Sequence, residues 1–183
     1  NFTFDDTLTQ IGLGYFALFL LAHASRAVQV GALGLILVGV WGLFAAWPLP
    51  PAGFDWQTVG IPADWPHLLS GFEAHWNKNL NPAGWFDGWF MNLFPRQEPY
   101  TYSGGGYCTL SFIPTLATML LGVLAGGVMR AQSGPARKFA VLLVSGLGLL
   151  LIGWGLGEWG ICPVVKRIWT PSWVLVSGGA CFM

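Results

Sequence analysis

Charge is what this sequence has least of. Lys, Arg, Asp and Glu make up 9% of its 183 residues, against roughly 25% in soluble globular domains. Eight cations and eight carboxylates cancel to a net charge of zero, which removes the electrostatic footprint of a nucleic-acid-binding protein. Cysteine is scarce too: Cys108, Cys162 and Cys181 form no CxxC and no Cys/His spacing, so no metal site is expected. No phosphate-cradling GxxxxGK[ST], no HExxH and no Ser/His/Asp order occurs. The sequence also lacks an initiator Met and a signal-peptide pattern, and it stops at Met183 inside an apolar run. That is expected of an internal piece of a longer polytopic protein, one that does not fold without the rest.

Apolar and aromatic residues fill the space that charge leaves. They are 54% and 15% of the chain, with eleven Trp and a mean hydropathy of +0.58. The composition predicts an all-α, polytopic transmembrane helix bundle forming a single membrane domain. Spans are expected at about 8–24, 28–47, 110–129, 139–159 and 168–183, most of them long enough to cross about 30 Å of hydrocarbon. Pro48, Pro50 and Pro51 end the second span, and the tight turn before it makes the first helix its expected neighbour. In the third span Gly122 and Gly126 make a small-xxx-small face for helix packing. Thr109 and Ser111 are candidate caps for that span, ahead of Pro114. Glycines at 146, 148, 153, 155 and 157 suit the fourth span to close packing.

Residues 49–107 break the pattern. This long loop holds Asp55, Asp64, Glu73, Asp87 and Glu98 against Lys78 and Arg96, and it is rich in Trp, Pro and Asn. So polar a segment does not lie in lipid, and its aromatics suit a fold over the membrane surface. The short turns are the reverse: Arg26 in one, Arg130, Arg137 and Lys138 in the other, with no acid. The positive-inside rule then places both turns in the cytoplasm and the loop 49–107 outside. Five crossings bring the Lys166-Arg167 segment to the same outer side as the loop. Cys108 and Cys162 share that side and are a candidate disulfide pair. Glu158 is expected to neutralise Lys166 or Arg167 rather than relay protons.

Two stretches concentrate hydrogen-bonding groups. Between Pro163 and Trp173 stand Lys166, Arg167, Trp169, Thr170 and Ser172, suited to an anionic or sugar-like ligand. The plainer account is that Lys, Arg and Trp mark the water boundary of an ordinary span. Between Phe72 and Asn81 stand His75, Asn77, Lys78 and Asn79, which suit a hydroxyl-rich ligand with Trp76 as a stacking face. The plainer account there is a solvated loop whose Asn residues make turns. His75 is the natural candidate for a general base or acyl carrier by residue type, with His67 a weaker candidate.

Three blocks carry a resemblance: 71–81 (GFEAHWNKNLN), 110–126 (LSFIPTLATMLLGVLAG) and 166–175 (KRIWTPSWVL). With 7–15 (TLTQIGLGY) upstream, they are similar in order to the bacterial relatives of the lysosomal heparan-alpha-glucosaminide N-acetyltransferase, the NagX-like group. The resemblance implies a multi-span acyltransferase of the bacterial inner membrane. It would move an acetyl group from cytoplasmic acetyl-CoA, as co-substrate, to an amino sugar or related glycan outside. The family's catalytic His lies in a loop this sequence does not contain, so the catalytic residue is unknown and neither His75 nor His67 takes its place. The block around Lys166, Trp169, Thr170 and Ser172 is then expected near the acceptor. Arg130, Arg137 and Lys138 either meet the coenzyme phosphates or only set topology, and the second account is favoured. Membrane lipid is a necessary partner, and a homo-oligomer fits. The competing function is a sugar or small-solute transporter, although the spans carry almost no mid-membrane polar groups. A scaffold without chemistry is the third reading.

Overall fold

In the computed structural model, which describes residues 3–183, every regular element is helical. Six α-helices follow in order: α1 (Thr7–Ala22), α2 (Arg26–Ala45), α3 (Pro82–Phe90), α4 (Phe112–Arg130), α5 (Pro135–Glu158) and α6 (Pro171–Phe182). Local chemistry sets their starts. Asp6 Oδ1 accepts the N–H of Thr9 at 3.0 Å, and Asn81 Oδ1 accepts those of Ala83 and Gly84, both at 3.0 Å. Such caps satisfy N–H groups that a first turn leaves unpaired. Pro opens α3, α5 and α6, where its missing N–H costs nothing.

Three helices are long and apolar enough to cross a membrane: α2 with 20 residues, α5 with 24, and α4 with its leading turn, Thr109–Arg130, with 22. Helices α1 and α6 are apolar but shorter, at 16 and 12 residues. Three of the five expected spans, 28–47, 110–129 and 139–159, thus fall on helices of membrane-crossing length, the last starting one turn earlier, while 8–24 and 168–183 fall on the two shorter helices.

Helix α4 is the central post, packed against α1, α2, α5 and α6. Of its apolar window 39% is buried, against 11% for α2 and for α5, whose outer faces are bare. The tight 23–25 turn does not make α1 and α2 close partners. Helix α2 leans chiefly on α4 instead, because the turn splays the pair and α4 fills the space between them. The small-xxx-small expectation for α4 is also corrected: a Cβ on Gly122 would meet nothing within 4 Å, and one on Gly126 only the tip of Arg130. The intimate contact lies between α5 and α6. A Cβ on Gly146 would stand 2.8 Å from the carbonyl oxygen of Gly179, and one on Gly153 would stand 2.8 Å from that of Ser172. Of the other α5 glycines, Gly157 meets Val164 while Gly148 faces open space.

Between α2 and α4 the chain folds into a cap with its own interior, in which Ile61, Trp76, Asp87 and Met91 are buried. Its aromatics seat it on the end of α2: Phe44 stacks on Trp76 with centroids 6.3 Å apart, and Trp47 meets Trp85 at 5.7 Å. Helix α3 docks on the 3₁₀ turn Thr109–Ser111 that leads into α4. Thr109 and Ser111 do not cap α4 with their hydroxyls, which are buried without a hydrogen-bond partner. Asp87 does the work from α3, its Oδ2 accepting the N–H of Thr109 at 2.9 Å. Cys108 and Cys162 belong to one buried cluster yet remain free thiols, so the candidate disulfide is not formed. Ser172 Oγ lies 3.6 Å from the Cys162 sulfur.

Candidate functional site

A cleft of about 530 Å³ lies where the cap meets the segment between α5 and α6. One wall is residues 65–69 with 76–78, the other residues 163–168. The two stretches singled out in the sequence therefore do meet. Trp41 in α2 helps hold the second wall, its Nε1 donating to the carbonyl of Ile161 at 2.8 Å.

The chemistry of the cleft is cationic and aromatic. Lys78 Nζ lies 5.2 Å from the centroid of Trp65, and the guanidinium carbon of Arg167 lies 5.8 Å from the same centroid. Two cations on one indole are a cation–π arrangement that also keeps them near each other. Burial, reinforced by the nearby Arg167, pushes the Lys78 ammonium below its ordinary pKa. Backbone carbonyls hold both in place: Lys78 donates to Gly104 at 2.7 Å and Arg167 to Gly105 at 3.0 Å. Lys166 and His67 also line the cleft, and no carboxylate does. Glu158, exposed at the end of α5, makes no ion pair with Lys166 or Arg167, whose neutralisation it was expected to supply. Trp76 lines the inner end, and its buried Nε1 is without a hydrogen-bond partner.

The remaining predicted residues build the walls from behind. Asn77 is buried, and its side-chain amide clamps Leu69 at both backbone groups, accepting from N at 2.8 Å and donating to O at 2.9 Å. Asn79 adopts φ 61° and donates to the carbonyls of Val59 at 2.8 Å and Ser103 at 3.1 Å. His75 is half-buried against Phe72 and Trp76, its Nδ1 without a partner. Thr170 caps α6, and its hydroxyl also accepts the N–H of Val165 at 3.0 Å. Ser172 is buried and donates to Pro163 O at 2.6 Å. Trp169 turns inward from the cleft, its Nε1 donating to Thr118 Oγ1 of α4 at 2.9 Å.

Trp169 has φ 52°, a left-handed conformation that a bulky side chain adopts only under constraint. Such strain costs on the order of 1–3 kcal/mol and persists where surroundings over-determine it. Here the Trp169–Thr118 bond and the Thr170 cap supply the constraint. The strained turn is what lifts Lys166 and Arg167 off the head of α6 and into the cleft wall.

Sequence reasoning overlooked Trp65, the ring both cations share. Its signal was positional: an aromatic between Pro62 and Pro66 in a segment facing cations with no matching acid. It also overlooked Asp87 as a structural carboxylate. Gln10 was missed as well, buried in α1, where it accepts from Thr115 Oγ1 of α4 at 3.2 Å.

The chain is thus all-helical, with three helices long and apolar enough to cross a membrane and a cationic, aromatic cleft beside the cap. Compared with models of known protein families, with curated proteins and with solved structures, the chain matches none.

Proposed function

We propose that this chain is the acceptor-binding part of a membrane acyltransferase. It would pass an acetyl group from cytoplasmic acetyl-CoA to an amino sugar held in the cleft on the extracytoplasmic side. The observation that carries the proposal is the pairing of Lys78 and Arg167 across Trp65 in a cleft without carboxylates. An amine attacks a thioester only as the free base. Neighbouring cations and partial burial disfavour an ammonium, the same two causes that lower the Lys78 pKa. A bound amino sugar loses its proton in the same field, and its ring has Trp65 to stack on. Over the whole reaction the amine nitrogen becomes bonded to the acetyl carbon, the carbon–sulfur bond of the thioester is broken, and the coenzyme thiol is released with the proton the amine gives up. No residue of this chain is assigned to acetyl-CoA. The five-crossing topology, with the cap outside, belongs to the same proposal and is supported by the all-basic turns at the far end.

Sealed vesicles of the full chain test this, with labelled acetyl-CoA on the cytoplasmic face and glucosamine on the other. Labelled N-acetylglucosamine is expected outside. With Arg167→Gln the bound amine keeps its proton to higher pH, so the acid limb of the rate profile moves upward. Sugar that crosses unmodified would make the protein a transporter and end the acyltransferase reading.

A further inference from the structure

The two ends of the molecule differ in charge more than the net zero suggests. All eight carboxylates of the sequence lie in residues 5–6, in the cap, or at Glu158. Helix α2 rises into the cap from Arg26, α4 descends from the cap to Arg130, and α5 returns from Pro135. Arg26, Arg130, Arg137 and Lys138 therefore gather at the end away from the cap, with no acid among them.

Three cavities meet there, and Arg26 lines all of them. One, of about 380 Å³, has Arg26, Arg137 and Lys138 around it with Gln132 and Ser133. A second, of about 270 Å³, adds Arg130. The third, of about 330 Å³, is an apolar trough that shares Val128 and Val141 with the first. It runs along α2, α4 and α5 past Val30, Leu124, Leu142 and Ile152. Gly148 opens its floor, since a Cβ there would meet nothing within 4 Å. Lys138 is fixed at the mouth by donating to the carbonyl of Met129 at 2.7 Å.

We infer that this end binds an anionic phospholipid, with its phosphate among Arg26, Arg137 and Lys138 and an acyl chain in the trough. A basic mouth continuous with an apolar trough between membrane-length helices has the shape and charge of one amphipathic anion. A free phosphate or a nucleotide would use the mouth and leave the trough empty. The carboxylates that could neutralise these cations internally are all elsewhere, so the counter-charge has to come from outside the chain. The inference rests on the membrane placement proposed above and is independent of acyl transfer.

The test uses the full chain extracted in mild detergent and stripped of lipid. Thermal unfolding and intact-complex mass spectrometry are read with phosphatidylglycerol, phosphatidylcholine, glycerol 3-phosphate or coenzyme A added. Phosphatidylglycerol is expected to raise the melting temperature by several degrees and to persist as a bound mass. Phosphatidylcholine should bind at least fivefold more weakly, and the two soluble phosphates should not protect. Arg137→Gln with Lys138→Gln should bring phosphatidylglycerol down to the phosphatidylcholine level. Gly148→Leu fills the trough without changing any charge, so it keeps the topology signals intact, and it should reduce retention of both lipids. Equal binding of the two lipids overturns the proposal. So does protection by coenzyme A or glycerol 3-phosphate, or wild-type retention in Gly148→Leu. Release of the protein from membranes by alkaline carbonate would instead refute the membrane placement itself.

Discussion

The carboxylate of Asp87 accepts the backbone N–H of Thr109 at 2.9 Å, and this bond fastens the cap's helix to the first turn of the central post. The second oxygen of Asp87 is buried without a partner, as are the hydroxyls of Thr109 and Ser111 in the turn that leads into α4. Burial outweighs the help from Thr109 and raises the carboxyl to about 6 from its ordinary 3.8.

A raised carboxyl pKa means that the folded state holds this proton more tightly than the unfolded chain. Below about pH 4 both states are protonated and Asp87 exacts no penalty. As pH climbs from about 4 to about 6 the unfolded chain sheds its proton first, and stability falls. Asp87→Asn keeps an acceptor for Thr109 and offers N–H donors to the lone hydroxyls. It is expected to flatten the melting temperature between pH 4.5 and 7 and to raise it at pH 7.5. A pH series of thermal melts in detergent, wild type against variant, checks this.

The Asn77 amide satisfies both backbone groups of Leu69 in a buried site. Asn77→Ala leaves a donor and an acceptor stranded, at a cost of about 2–4 kcal/mol. Because Leu69 lines the cleft, that wall should loosen before the bundle melts. Limited proteolysis is expected to cut the variant between residues 62 and 75 while α4 and α5 stay intact.

Two sets of glycine substitutions separate packed from open positions. Gly153→Ala drives a methyl into the backbone of α6, and overpacking of this kind costs about 1–3 kcal/mol. Gly122→Ala meets open space and should stabilise by about 0.5–1 kcal/mol through helix propensity. Melting temperatures moving in opposite directions would bear out the α5–α6 contact. Equal destabilisation would return the packing role to α4.

Burial raises the pKa of the Cys108 and Cys162 thiols and hides them from solvent. Neither is expected to react with maleimide in the folded protein, and both should react once it is denatured. The protein's mass should be the same with and without reductant. A loss of two hydrogens in the oxidised sample would reinstate the disulfide.

Much of this fold was legible as composition. The apolar runs became helices because no charge interrupts their middles and Pro, Ser, Thr or Asx residues punctuate their ends. Which faces touch was not legible: Gly122 and Gly126 carry the same spacing signal as truly packed glycines, yet α6 chose α5. Spacing records what a helix permits, and the neighbour decides what is used. Within the candidate site, the charges at Lys78, Lys166 and Arg167 were readable because cations are rare here. The roles of Asn77, Asn79, Thr170 and Ser172 were not, since a polar side chain reads the same in sequence whether it faces a ligand or a backbone. Helix α3 did leave a signal in Asn81-Pro82, a cap followed by a first-turn proline, but so short a helix among glycines is easily read as loop.

Because the carboxylates sit toward one end and four unopposed cations at the other, the molecule is a dipole along its helix axes. Across an energised membrane, moving one elementary charge costs about 2.3 kcal/mol per 100 mV. Turning this chain over would carry those four cations one way through the field and the net negative charge of the cap end the other way, and the two costs would add. In the orientation proposed above, a negative interior would therefore add to the cost of inverting the chain long after insertion is complete.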